Sequence, residues 1–185
     1  MCSFIVTNRT LDEEIKLSAN RFAQSRGPDL TNTFIDPDTK ITWLHNLLHI
    51  TGEKTPQPFV KDDFVATFNG QIYNYKKFKP DAISDGYCII DVFRDSNWKD
   101  LDGEFAIVFH DKKNNNIIVA SDTFATKPCW ISISGDDFAI SSYMSSNLAL
   151  GFSRGETFKT APNTSYTIDL DTMSVSREKI YKFNL

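Results

Sequence analysis

Short apolar runs bounded by turn-forming residues dominate the chain and predict strands. CSFIVT (residues 2–7) is rich in β-branched and aromatic side chains and predicts a strand that begins almost at the first residue. Similar runs follow at TNTFI (31–35), KITWLHNLLHI (40–50), DFVATFNG (63–70), EFAIVFHD (104–111) and NNIIVASD (115–122). KPCWISIS (127–134), DFAISS (137–142), TSYTIDL (164–170) and SVSREKIYKF (174–183) complete the set. The turn-rich segments DKKNNN (111–116) and SGDD (134–137) separate successive pairs, as antiparallel hairpins require. Three stretches read as helices: 11–25, 84–97 and 141–152. The first carries Ile15, Leu17 and Phe22 with small Ala19 and Ala23 among charges. It is opened by Thr10 or Asp12 and broken by the Gly-Pro of RGPD (26–29). Strands are grouped between helices and do not alternate with them, so an α+β arrangement of antiparallel layers is expected. No repeat, low-complexity stretch or linker divides the chain, and residues 1–185 are expected to form one domain.

Composition narrows the class. With 185 residues, 41% of them hydrophobic and 13% aromatic, such a domain should bury roughly 70% of its unfolded surface. A net charge of -4, a pI near 5.3 and scattered Lys and Arg offer no basic stripe for nucleic acid. No apolar run approaches the ~18 residues of a membrane span, and MCSFIVTNRTLDEE turns acidic too early for a signal peptide. Three cysteines, Cys2, Cys88 and Cys129, contain no C-x-x-C pair. Neither a disulfide framework nor a structural metal site is expected, and a reducing cytoplasm is the expected compartment.

Two short stretches carry candidate chemistry. Removal of Met1 would leave Cys2 with both a thiol and a free α-amino group. A free cysteine titrates near ~8.5 and an α-amine at about 7.7–8.0, so one residue can hold both nucleophile and general base. The alternative is a small buried hydrophobe that starts an edge strand. FNGQIYNY (68–75) contains Asn69 and Gly70. A side-chain amide followed by the backbone N–H of a glycine suits a developing oxyanion. The alternative for Asn-Gly is a type I′ hairpin turn.

Cys2, RGPD, FNGQIYNY, the Ser-Asp pair at 84–85 and LDGEFAIVFHD (101–111), taken in this order, resemble the N-terminal glutaminase domain of asparagine synthetases and related class II glutamine amidotransferases. SDTFATKPCW (121–130), ISSYMSSNLAL (140–150) and APNTSYTIDL (161–170) extend the resemblance over essentially the whole chain. The resemblance implies the four-layer αββα fold of N-terminal nucleophile hydrolases. It implies that Cys2 forms a γ-glutamyl thioester and releases ammonia, that Asn69 and Gly70 form the oxyanion hole, and that Asp85 receives the substrate's α-ammonium group. Arg26 corresponds to an arginine beside the nucleophile, and Leu47, Leu48, His49, Ile50 and Thr51 to the segment that borders the substrate. No cofactor is implied.

The departures are as informative. Gln71 stands where the family has a glutamate that helps bind the ammonium, and Leu47 where it has an arginine that clamps the carboxylate. An Arg–carboxylate fork is difficult to replace, and leucine offers no donor. The family also has Arg at the position of Ser121 and Gly at that of Asn163, which together with Gln71 and Leu47 suggests an altered pocket. His49 is a candidate to replace part of the lost arginine, whereas His45 and His110 read as core or surface residues. The leading expectation is a cysteine-dependent glutaminase or amidotransferase subunit that takes a small-molecule amide and supplies ammonia to a separate ATP-dependent synthetase. The alternatives are a hydrolase of an amide other than free glutamine, and a degenerate domain kept as a structural or regulatory partner. The synthetase domain that asparagine synthetases carry is not expected within these residues.

Overall fold

In the computed structural model, which describes residues 1–50 and 53–181, these runs form two antiparallel six-stranded sheets. The first contains β1 (Ser3–Thr7), β2 (Leu30–Ile35), β3 (Thr42–Leu47), β8 (Trp130–Ser134), β9 (Asp137–Ser141) and β10 (Thr157–Lys159), in the order β10-β8-β9-β1-β3-β2. The second contains β4 (Phe59–Lys61), β5 (Phe64–Ile72), β6 (Gly103–Asp111), β7 (Asn116–Ser121), β11 (Thr164–Asp169) and β12 (Val175–Lys179), in the order β12-β11-β7-β6-β5-β4. Among the described residues four α-helices join the sheets, α1 (Glu13–Asn20), α2 (Tyr75–Phe78), α3 (Ile89–Arg94) and α4 (Met144–Ala149), with short 3-10 turns between elements.

Side-chain parity explains the layers. Phe4 and Val6 of β1, Trp43 of β3, Val65 of β5, Val108 of β6 and Ile140 of β9 form one buried cluster between the sheets. The residues of opposite parity face the helices. Ile5, Leu44 and Ala139 pack with Ala19 of α1 and with Leu150 and Phe152 beyond α4. Ala66, Phe68, Ile107 and Phe109 pack with Ile89, Val92 and Phe93 of α3. Both faces of both sheets are therefore covered, and the expected αββα sandwich results. Each fully buried Leu, Ile, Val or Phe in these clusters contributes about 1.5–3 kcal/mol.

The first helix is shorter than the sequence predicts. Asp12 caps it, accepting from the Ile15 N–H at 2.8 Å, but it ends at Asn20 instead of running to residue 25. Leu17 sits two residues, about 200°, around the helix from Ile15 and is 69% exposed. Phe22 lies past the end and is 62% exposed, so neither joins the core. The last residue of the helix, Asn20, is buried, and its amide and that of Asn46 exchange hydrogen bonds at 3.1 and 2.7 Å. The Asn-Gly pair is not a hairpin turn either: Asn69 and Gly70 lie inside β5, paired with Ala106 and Phe105. The β4–β5 hairpin turns at Asp62, where φ is +52°. β4, β10 and α2 are elements that the pattern did not predict, each of only three or four residues. Among the described residues no helix is long and apolar enough to cross a membrane.

Candidate active site

Parity also assembles the site. Ser3 points to the outer face of its sheet, where its hydroxyl accepts from Asn46 Nδ2 at 2.9 Å and donates to the Ala23 carbonyl at 2.7 Å. Cys2, one residue earlier, therefore shares the inward parity of Phe4 and Val6. Leu47 has the inward parity of Trp43, and Asn69 that of Val65. These three strand ends meet at one cleft of about 600 Å³. Cys2, Leu47, Leu48, His49 and Ile50 line it from the first sheet. Asn69, Gly70 and Gln71 line it from the second, with Asp85 from the turn after α2. Thr51, also expected here, lies outside the described residues.

The Asn69 side chain is fully buried, and neither its amide nitrogen nor its oxygen has a hydrogen-bond partner among the described residues. A buried amide left without partners costs about 1–3 kcal/mol, so it is a feature that calls for a ligand. Gly70 adopts φ of +149°, and a Cβ there would lie 1.9 Å from the Glu104 carbonyl oxygen, so no larger residue fits. The orientation of its N–H follows from the ladder. Gly70 is opposite Phe105, but the Phe105 N–H donates to Asp122 Oδ2 at 3.0 Å, away from β5. The pair exchanges no hydrogen bonds, and the Gly70 N–H points to the open edge of β5. Ile72, two residues on, confirms the direction by donating to Asp85 Oδ2 at 2.8 Å. The Gly70 N–H itself has no partner among the described residues.

The electrostatics favour a protonated resting thiol. Burial pushes the Cys2 thiol above its usual value; the Leu48 N–H, 3.4 Å from Sγ, works against this, and the Asp85 carboxylate adds to it. Burial lowers the α-amine of Met1, while the Cys2 thiol pulls it up and the Arg26 and Lys127 cations push it down again. Arg26 lies against Met1: its Nη2 is 3.1 Å from Met1 Sδ, and its guanidinium rests over the Tyr143 ring at 5.5 Å. Burial also raises Asp85, offset by N–H groups of Ile72 and Gly86 and by the Ser84 hydroxyl.

Two of the four departures lie elsewhere, which corrects the expectation that all of them shape one pocket. Ser121 ends β7 and hydrogen-bonds to Thr160 at 3.3 Å, beside a separate cavity of about 410 Å³. Asn163 occupies a turn before β11 with φ of +52°, a conformation that glycine adopts freely and asparagine tolerates. Gln71 and Leu47 do line the cleft. Sequence reading missed Gln57 and gave Lys127 no role; both also line it. Lys127 is buried, pairs with Glu104 at 2.6 Å, and is the single lysine or arginine among the described lining residues. His45 and His110 are buried between the sheets with pKa values lowered to about 4 by desolvation. Cys88 and Cys129 are buried thiols, both raised to about 12 by desolvation. Among the described residues no group of His, Cys, Asp and Glu side chains converges as a metal site.

Comparison with known proteins matches residues 1–164 to the glutamine amidotransferase domain. A probable glutamine-hydrolysing asparagine synthetase of Dictyostelium discoideum is 30% identical over 152 residues, covering 71% of this chain and 27% of that protein. The glutamine-hydrolysing asparagine synthetase 2 of Bacillus subtilis is 31% identical over 116 residues, covering 56% of this chain and 15% of that one. The chain thus spans less than a third of the length of these curated relatives. Among solved structures, the glutamine phosphoribosylpyrophosphate amidotransferase of B. subtilis, complexed with ADP and GMP, superposes with a TM-score of 0.69 at 15% identity. That match covers 98% of this chain and 49% of the other, and the shared architecture is the N-terminal nucleophile hydrolase sandwich.

Proposed function

The chain belongs to the glutamine amidotransferase domain family, and from that premise we propose that it releases ammonia from a carboxamide through a thioester on Cys2. Met1 lines the cleft, so its removal opens space beside Cys2 and frees the Cys2 α-amine. The amine takes the thiol proton as Sγ attacks the amide carbon. The carbonyl oxygen, now an oxyanion, accepts from Asn69 Nδ2 and the Gly70 N–H. Collapse breaks the C–N bond, the ammonium proton passes to the leaving nitrogen, and ammonia departs. Water then attacks the thioester, restoring the thiol and yielding the carboxylic acid. The observation that carries this reading is the buried Asn69 amide beside the Gly70 N–H, both without a partner among the described residues, in the same cleft as Cys2.

The substrate side of the cleft supports a glutamine-like amide held by an altered clamp. Asp85 offers a carboxylate to an ammonium group, but Leu47 presents no donor to a carboxylate and Gln71 brings no charge. Lys127 is the cation left to meet an anionic end, and it is already engaged with Glu104. A second reading, an amide without the α-carboxylate, is favoured by Leu47 alone. The ammonia is taken up by a synthetase active site, in keeping with the names of the relatives, glutamine-hydrolysing asparagine synthetases. Ammonia release from a panel of glutamine, glutamine lacking its α-carboxylate and simple amides tests both readings. Cys2→Ala should abolish release from every substrate; ammonia still released by Cys2→Ala would overturn the mechanism.

A further inference from the structure

The open edge of β5 raises a question that the catalytic pair does not answer. β4 covers β5 only as far as the Phe59–Ala66 pair. Beyond it the outward N–H groups of Phe68, Gly70 and Ile72 need other acceptors. Asp85 takes that of Ile72. That of Phe68 donates to Gln57 Oε1 at 2.7 Å, and the same oxygen accepts the Thr67 hydroxyl at 2.9 Å. Gln57 is 3% exposed, and its backbone carbonyl accepts from Asn32 Nδ2 on β2 at 2.8 Å. The glutamine is thus tied to the opposite sheet, the one that carries Cys2, while its carboxamide takes the place of a missing strand residue.

We infer that Gln57 is a positioning residue for the oxyanion hole. By holding Thr67 and the Phe68 N–H, it fixes the register of Asn69 and Gly70 against Cys2. With Asp85 at the other end, it leaves the Gly70 N–H as the open donor of this edge. The inference rests on the proposed Cys2 chemistry and adds to it a residue that touches no reacting atom. A donor displaced by a fraction of an ångström still meets a neutral carbonyl but stabilises the oxyanion less, so the effect falls on kcat and spares KM.

Kinetics of Gln57→Met and Gln57→Glu, alone and combined with Asn69→Ala, test it. Gln57→Met removes the carbonyl acceptor at similar length and should lower kcat about tenfold with KM within about twofold. Gln57→Glu keeps an acceptor oxygen and should retain more of kcat than Gln57→Met. In the Asn69→Ala background Gln57→Met should have a smaller effect, because both residues act on one oxyanion. Independent, multiplicative effects, or a change confined to KM, would overturn the inference. Amide hydrogen exchange of the wild-type protein decides the matter even if Gln57→Met does not fold. Phe68 and Ile72 should be protected and Gly70 should exchange faster; equal protection of all three would overturn it. If Cys2→Ala retains activity, the amidohydrolase reading itself fails; if Cys2 and Asn69 behave as proposed and Gln57→Met is silent, only the role of Gln57 falls.

Discussion

Replacing Asn69 by alanine should move activity and stability in different directions. The carboxamide is fully buried and without partners among the described residues, a burden of about 1–3 kcal/mol on the resting fold. Truncation removes that burden and forfeits packing on the order of 1 kcal/mol. The net change runs from about neutral to about 2 kcal/mol in favour of the variant, and each kcal/mol raises Tm by roughly 2–4 °C in a domain of this size. The same truncation removes one oxyanion donor, which lowers kcat by roughly 10²–10³-fold. Thermal melting and Michaelis–Menten kinetics on one preparation read both quantities. The reasoning is refuted by a Tm lowered by more than about 4 °C, which would mean that the amide is satisfied in the folded protein, or by an unchanged kcat with only KM raised.

Three further outcomes follow from the charges of the site and core. Wild-type protein should use free L-glutamine with a KM above about 1 mM, and Leu47→Arg should lower that KM about ten- to a hundredfold, the scale of a charge-assisted hydrogen bond. If wild-type KM is already sub-millimolar and Leu47→Arg changes nothing, Lys127 or His49 holds the carboxylate. Asp85→Asn keeps an acceptor for the Ile72 N–H but removes the like charge that raises the Cys2 thiol. The pH profile of Cys2 alkylation should therefore shift to lower pH; an upward shift would contradict the assignment. His45 and His110 are held neutral with pKa values of about 4, against 6.5 when unfolded. Between these values the unfolded chain binds more protons, so stability is full above pH ~6.5 and is lost as pH falls toward ~4. The loss approaches 1.4 kcal/mol per pH unit for each histidine. Urea melts between pH 7 and 4.5 check this, and His110→Phe should flatten the slope.

Much of this architecture was legible in the sequence because a short β-branched or aromatic run bounded by turn residues is a local signal. Ten strands were readable from it, and parity alone then turns Cys2, Leu47 and Asn69 to the same side. What the sequence hid depends on partners distant along the chain. Phe22 looked like core because nothing in residues 11–25 reveals that the helix ends at Asn20, whose side-chain amide pairs with that of Asn46. The Asn-Gly pair resembled a turn because the close approach of Glu104, which makes Gly70 necessary, comes from another strand. Ser121 and Asn163 were grouped with the pocket on sequence grounds, while their elements end elsewhere. Gln57 carried no sequence signal: its role arises only because β4 stops short of Phe68.

The central claim is that Cys2, once Met1 is gone, is the nucleophile of this cleft. Incubation with a glutamine-like diazo-ketone, followed by intact-mass and peptide mass spectrometry, tests it most directly. The account predicts a chain without Met1 that carries one adduct, located on Cys2, with Cys88 and Cys129 unmodified because both thiols are buried and raised to about 12. An active preparation that retains Met1, or an adduct on Cys88 or Cys129 with Cys2 untouched, would contradict it.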